Sequence, residues 1–300
     1  MLILLPPSEG KAAGGTGPAL DLAALSFPAL TPIRARLVEH LQALAVTEPD
    51  ALRLALKLSG KQVHEVANNA ALSSSPTLPA LARYTGIVYD NLDYDTLTGP
   101  ARRRANTSLV VASALFGLLR PTDQVPAYRL SGGTVLPGLG GLPGISGLPG
   151  IGGLSGGTVL PGIGGLPGIG GRPGPGGLAP LWRSALETEL TATRGLVVDL
   201  RSGVYAGLAT VPGAVEVRVL RDTDGRRSVV SHDNKWTKGK LARALCEHGA
   251  KGLADVAEVG RTVSDAVEIS DGKHGPRVDL LLYGLASNRD SLASARASVS

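Results

Sequence analysis

Residues 1–11 read Met-Leu-Ile-Leu-Leu-Pro-Pro-Ser-Glu-Gly-Lys. The apolar run Leu2–Leu5 predicts a short buried strand, and Pro6-Pro7 ends it because proline cannot donate to a strand ladder. Ser8, Glu9, Gly10 and Lys11 then fall in the loop at the strand's carboxyl end. Backbone N–H groups and an ammonium converge in such a loop, which makes an anion site. The spacing is not that of a P-loop, since no GxxxxGK[ST] pattern is present. A solvated turn is the plain alternative. The same signature, a short apolar run followed by a polar loop, recurs at Gly195–Leu200 (GLVVDL), which leads into Arg201-Ser202. Asp199 and Ser202 lie where ligands bind in sheets of this kind, although either could simply cap a helix.

Between and beyond these strands the pattern is mixed. Pro32–Ala45 predicts a helix with Thr31 as its cap and Ile33, Leu37, Leu41 and Leu44 as its apolar face. Asp50–Leu58 and Lys61–Leu72 continue in helical period. Ser108–Ser113 (SLVVAS) reads as a strand, Ala114–Leu119 as a turn of helix and Leu178–Ala192 as a helix. Val215–Arg221 and Ser228–His232 read as strands, and Thr237–Glu247 and Leu253–Val259 as helices. Val267–Ile269 and Val278–Tyr283 close the series as strands. The late strands cluster, which predicts an α+β fold, a single mixed sheet surrounded by helices.

Length and composition are consistent with this. The chain has 300 residues, 43% hydrophobic and only 3% aromatic, so the core is built from aliphatic side chains. A formal charge of +5 is compatible with a polyanionic partner. One cysteine, Cys246, excludes an intrachain disulfide framework and a Cys-rich zinc site, and the dispersed histidines give no metal cluster. No metal and no cofactor are expected. Cys246, among Leu and Ala, is expected in the core. Leu2–Leu5 is too short for a signal peptide, and no long apolar run predicts a membrane span. The expectation is a cytoplasmic protein with no membrane partner.

One segment departs from the rest. Residues 132–177 are a Gly/Pro repeat in which SGGTVLPG starts at Ser131 and again at Ser155, and Arg172 is the only charge. Glycine at every third position echoes collagen, but the tract is short and interrupted. It is expected to be a disordered insertion in one domain spanning 1–300, because it has too few large side chains to offset its ordering entropy. The Ser/Ala/Arg-rich stretch from Ala286 is expected to fray.

Further sites are candidates. FGLLRPTDQVPAYRL brings Arg120, Asp123, Tyr128 and Arg129 close in sequence, and arginine forks recognise carboxylate or phosphate. VVSHDNKWTKGKLARAL gathers His232, Asn234, Lys235, Lys238, Lys240 and Arg243 at a helix start, where free N–H groups also favour anions. His232 could serve as an acid or base. LARALCEHGAKGLADVAEV reads as two helices joined by a Gly-bearing turn that holds Lys251.

Taken together, MLILLPPSEGK, RYTGIVYDNL (83–92), ASALFGLLRPTDQVPAYRL (112–130), VVDLRSGVYAGL (197–208) and VVSHDNKWTKGKLARAL (229–245) resemble the peroxide stress resistance protein YaaA family. The resemblance implies a single α+β domain of the cantaloupe-like fold, with a helix-hairpin-helix-like element and a basic cleft. It implies a cytoplasmic protein that binds DNA and limits damage from peroxide and free iron. On this resemblance Lys11 falls in the N-terminal loop, Arg120, Tyr128 and Arg129 in the LRP…YRL motif, Ser202 and Tyr205 in the strand-end motif, and Lys235 in the late basic motif. HGAKG would be the hairpin. Three departures stand out: PPSEGK in place of SPAK, Asp199 where others can have Asn, and the repeat placed directly after YRL.

Two readings of function follow. In one, double-stranded or distorted DNA is gripped by Lys235, Lys238, Lys240, Arg243 and Lys251. In the other, an enzyme acts on a phosphorylated or otherwise anionic small molecule held among Ser8, Glu9, Lys11, Arg120, Tyr128, Arg129, Asp199, Ser202 and His232. A nucleophile and a base are not assigned.

Overall fold

The computed structural model describes residues 1–139 and 177–283. Its strands are β1 (Leu2–Leu5), β2 (Leu78–Pro79), β3 (Leu109–Ser113), β4 (Gly117–Leu119), β5 (Gln124–Val125), β6 (Val197–Asp199), β7 (Val215–Thr223), β8 (Arg226–Ser228), β9 (Ala266–Asp271) and β10 (Pro276–Tyr283). Its helices are α1 (Thr31–Thr47), α2 (Pro49–Ala55), α3 (His64–Ala70), α4 (Ala80–Arg83), α5 (Ile87–Leu92), α6 (Gly99–Ser108), α7 (Ala179–Thr191), α8 (Gly203–Ala206), α9 (Ser231–His248) and α10 (Leu253–Arg261). The fold is α+β, a mixed sheet flanked by helices. Most of the 132–177 repeat, residues 140–176, and the tail from Ala286 lie outside the described residues.

Strand order in the main sheet is β4-β3-β1-β6-β7-β10-β9, with β8 also paired to β7. The central strands β3, β1, β6, β7 and β10 are all parallel, and β4, β8 and β9 join them antiparallel. Leu2–Leu5 are all buried, as the uninterrupted apolar run requires of a central parallel strand. Because β6 is short, it covers only Val215 and Glu216 of β7. The chain then turns back, and Arg226–Ser228 pairs with Arg221–Thr223. That hairpin supplies partners the end of β7 would otherwise lack.

Helices form where the apolar period is helical. The predicted face of α1, Ile33, Leu37, Leu41 and Leu44, is buried. Thr31 is not the cap, however. A 3₁₀ turn at Pro28–Leu30 runs straight into α1, so Leu30 occupies that place and the Thr31 hydroxyl reaches Leu22 O. The long α9 packs against α5 through Gly239, where any Cβ would meet the Val88 carbonyl oxygen and, at 2.8 Å, Asn91 Cβ. Cys246 is buried on α9, as expected for a core residue.

Two further sequence expectations are overturned. Ala114–Leu119 is not a turn of helix. Ser113 Oγ accepts from Leu115 N and Phe116 N, Gly117 takes a φ of 72°, and β4 pairs back on β3. Every residue of the run is buried, so its apolar pattern carried no period to separate helix from strand. Nor is Ser228–His232 a strand. The ladder stops at Ser228, and Asn234 N already bonds Val230 O as the first turn of α9. Val229-Val230 suggested a strand, but Val229 is exposed and ladder pairing has ended before it.

The main sheet fixes where a site can form. From β1 the next strand of the sheet, β3, lies on one side, and from β6 the next strand, β7, lies on the other. The carboxyl ends of β1 and β6 therefore flank a topological switch point, where an open crevice forms for geometric reasons.

Candidate functional site

The loop after β1 folds back on the segment around Tyr84. Ala12 N donates to Arg83 O, Thr85 N to Gly10 O, and Thr85 N also to Ser8 Oγ at 3.1 Å. This brings Lys11 into a bridge with Tyr84. The Lys11 ammonium lies 4.2 Å from the centre of the Tyr128 ring and 5.4 Å from that of Tyr84. Its hydrogen bonds go to backbone carbonyls, Ser8 O at 3.2 Å and Glu9 O at 3.4 Å. Burial outweighs the nearby charge of Glu65 and pulls its pKa down to about 7.

Behind the lysine is a chain of hydroxyls. Tyr84 Oη and Tyr128 Oη are 2.7 Å apart, and Tyr128 Oη is 2.7 Å from Ser113 Oγ at the end of β3. Both tyrosines are fully buried, and burial raises both pKa values, so these phenols stay neutral. Tyr89, stacked on Tyr84, donates to Pro6 O at 2.9 Å. Tyr205 of α8 accepts from Gly132 N at 3.0 Å, and its pKa is also raised by burial.

In front stands Arg129. Its Nη1 shares the Glu9 carbonyl with Lys11, and its Nη2 makes a 2.7 Å bond to the Glu9 carboxylate. The Glu9 side chain is 70% exposed, whereas that of Arg129 is only 12% exposed. Buried Asn69 of α3 clamps the Arg129 backbone, accepting from its N–H at 2.8 Å and donating to its carbonyl at 2.9 Å. The result is a buried ammonium and a largely buried, fixed guanidinium behind one exposed acidic side chain, with neutral hydroxyl donors beneath. Such a set can hold an anion and move a proton near neutral pH.

The other predicted residues divide. Asp199, the last residue of β6, binds Arg201 through both carboxylate oxygens, at 2.9 and 2.7 Å. Ser202 is exposed and precedes α8. Both line a separate cavity with Lys238 rather than the lysine–tyrosine cluster. Arg120 is not in the cluster. Because β4 reverses the chain, Arg120 is carried back to the start of β3, where it donates to Thr107 O at 2.6 Å. His232 sits on the first turn of α9 with its ring 69% exposed. Sequence reasoning did not assign Tyr84, Ser113, Asn69 or Glu65 to the site. Tyr84 had a signal in the RYTG stretch, but Asn69 sits in an unremarkable helical run.

The basic cluster of α9 is also dispersed. Lys235 is exposed, and Lys240 lies 3.8 Å above the Trp236 ring. Arg243 is tied to Leu92 O, Asp93 O and Thr96 Oγ1. Lys238 is buried, because it lies on the face of α9 turned to the sheet. Lys251 is exposed in the turn to α10, but its N–H and that of Gly252 already donate to the Asp255 carboxylate. Among the described residues no group of three or more His, Cys, Asp or Glu side chains is placed to hold a metal ion, and no helix is long and apolar enough to cross a membrane.

Comparison with known proteins adds to this geometry. The profile of a family described as peroxide stress protein YaaA matches residues 1–142 and 172–263, leaving out most of the repeat. A UPF0246 protein of Corynebacterium efficiens is 41% identical over 276 residues, 91% of this chain and 97% of the relative. One from Corynebacterium glutamicum is 42% identical over 271 residues, 89% of this chain and 95% of the relative. One from Streptomyces coelicolor is 37% identical over 295 residues, 94% of this chain and 99% of the relative.

Proposed function

Since this chain belongs to the peroxide stress protein YaaA family, we propose that it serves the peroxide response by binding, and acting by acid–base chemistry on, a small anionic molecule at the Lys11 cluster. One observation carries this reading. The Lys11 ammonium is held over the Tyr128 ring with carbonyl oxygens, not a carboxylate, as its hydrogen-bond partners. A structural lysine in such a place would normally be neutralised by an acid, since burying an unpaired charge is costly. Here the amine is about half protonated near pH 7 and can accept or return a proton. Arg129 supplies the anion contact, and the exposed Glu9 carboxylate occupies it until a ligand displaces it.

The test is a thermal-shift screen of phosphorylated and carboxylated metabolites on the full chain. A hit on this site should be lost in Arg129→Met and weakened in Lys11→Met. It should be strengthened in Glu9→Ala, which frees the guanidinium. A screen without hits, or hits indifferent to all three changes, would overturn the proposal.

A second reading, DNA gripped through its phosphates to limit oxidative damage, is favoured by the exposure of Lys235 and Lys251 and the outward Trp236–Lys240 stack. It is weakened by Asp255, which already takes the N–H groups that a phosphate would use at the start of α10. Fluorescence anisotropy with duplex and bulged DNA across a salt series separates the readings. Phosphate contacts make affinity fall steeply with salt, and Lys240→Glu with Lys251→Glu should abolish it. Unchanged affinity at low salt in that double variant would exclude this surface.

A further inference from the structure

On the other side of α8 from Lys11 lies a cavity of about 600 Å³, the size of a small-molecule site. It shares no lining residue with the lysine–tyrosine cluster. The short helix divides the two, carrying Tyr205 toward Gly132 and turning Ser202, Gly203 and Ala206 to the cavity.

The charges around the cavity mostly cancel. Asp199 is matched by Arg201, Glu216 by Arg277, and Arg218 by Asp279. Two lining lysines make no ion-pair contact among the described residues: Lys273 at the exposed β9–β10 turn, and Lys238 inside, which feels the Asp199 and Glu216 carboxylates only from beyond contact, each of them already bound to its arginine. Lys238 is only 6% exposed. Its ammonium has one hydrogen bond among the described residues, a long one of 3.4 Å to Arg201 O. Burial pulls its pKa to about 8, so it still carries charge at neutral pH. One helical turn earlier on the same face of α9, Asn234 also lines the cavity, and its Oδ1 is buried without a hydrogen-bond partner. An ammonium offers only donors, and a carbonyl oxygen only accepts. Buried groups left in that state are costly and call for an explanation, and a ligand is one that meets both needs. Val211, Val217 and Val219 supply apolar lining beside them.

We propose that this cavity binds a small molecule with two features: a carboxylate or phosphate that sits on the Lys238 ammonium, and a hydroxyl or amino donor that reaches Asn234 Oδ1. The site is independent of Lys11. Its recognition is polar at α9, with Val217 and Val219 of β7 giving an apolar wall between ion-paired Glu216 and Arg218.

Calorimetric titration of the full chain with glycerol 3-phosphate and with glycerate tests this, because the two probes share a hydroxylated body and differ in the anion. At least one should bind, and the stronger identifies the anionic group. Lys238→Met should weaken that probe tenfold or more. Asn234→Ala should weaken it too, while leaving inorganic phosphate or acetate, which lack the hydroxylated body, unaffected. Lys11→Met should bind as the unaltered protein does. Should Lys238→Met fail to fold, reductive methylation of the unaltered protein, mapped by mass spectrometry, takes its place. The bound probe should protect Lys238 and leave Lys235 and Lys251 reactive. Neither probe binding, binding indifferent to Lys238→Met, binding lost only in Lys11→Met, or no protection of Lys238 would each overturn the proposal.

Discussion

Lys11 is where burial and charge conflict most sharply in the candidate site, and the conflict has a measurable sign. Its folded pKa of about 7 lies below its ordinary value of 10.5. Between those values the unfolded chain holds a proton that the folded chain has released, so stability should rise with pH across that window. Below about pH 7 both states are protonated and the burial cost is felt in full. Lys238 adds a slope of the same sign above about pH 8. The informative quantity is therefore the difference between the unaltered chain and Lys11→Met. Denaturant midpoints from pH 6 to pH 10 should converge as pH rises, and parallel profiles would refute the depressed lysine. Cys246 poses the opposite case. It is fully buried, and burial pushes its thiol up to about 12, so the reactive thiolate is absent near neutral pH.

At the scale of elements, α9 joins the two candidate sites to the rest of the fold. It packs against α5, which carries Tyr89 of the lysine–tyrosine cluster, and it projects Asn234 and Lys238 into the second cavity. Gly239 sets that packing. Replacing a helical glycine by alanine ordinarily gains up to about 1 kcal/mol. Here the new methyl would strike the Val88 carbonyl oxygen, and overpacking of this kind costs about 1–3 kcal/mol. Gly239→Ala should therefore be net destabilising in urea unfolding and should lower ligand affinity at both sites. A stabilised variant would show that the two helices can separate freely. The sequence placed most helices and strands correctly, including α1, α7, β1 and β7. It failed where pattern and partner disagree. At Ala114–Leu119 the reversal depends on a buried serine and on Gly117, against which Trp182 packs. At Val229–His232 the helix begins because ladder pairing has ended, which only the sheet reveals.

For the whole molecule, the repeat poses the main question of tolerance. A Cβ on Gly177 would lie 3.4 Å from the Thr134 carbonyl oxygen, so the chain re-enters the described fold beside the point where it left. The first residues of the repeat, 132–139, are ordered against expectation: Leu136 and Leu139 are buried, and His40 Nε2 lies 2.7 Å from Pro137 O, because these leucines find a place in the core. Closing a long loop and closing a short one differ by only about 1–2 kcal/mol, because the cost grows with the logarithm of length. Deleting residues 140–176 and joining the ends with a short Gly/Ser link should leave the fold intact and shift the melting temperature by only a few degrees. Loss of the folded state would mean that the repeat packs on the domain. Affinity at the Lys11 cluster, measured on the same variant, would show whether the repeat screens it, since Gly132 at its start contacts Tyr205.

Local sequence by itself determined the aliphatic core, the buried strand at Leu2–Leu5, the polar loop that follows it at Ser8–Lys11 and the place of Cys246. Each is a property of composition or of a few neighbouring side chains. Tertiary structure decided which of the candidate residues lie together. Arg129 reaches Glu9 across 120 positions of sequence, and Asn69 clamps Arg129 across 60. Parallel pairing of β1 with β3 and β6 brings Lys11 to the tyrosines and leaves Asp199 and Lys238 in a separate cavity. Arg120 and Arg129 are close in sequence, yet a three-residue reversal at β4 carries them to opposite ends of β3. Proximity in sequence fixes local conformation, whereas the convergence of charge on a site is set by strand order and register, which no short motif encodes.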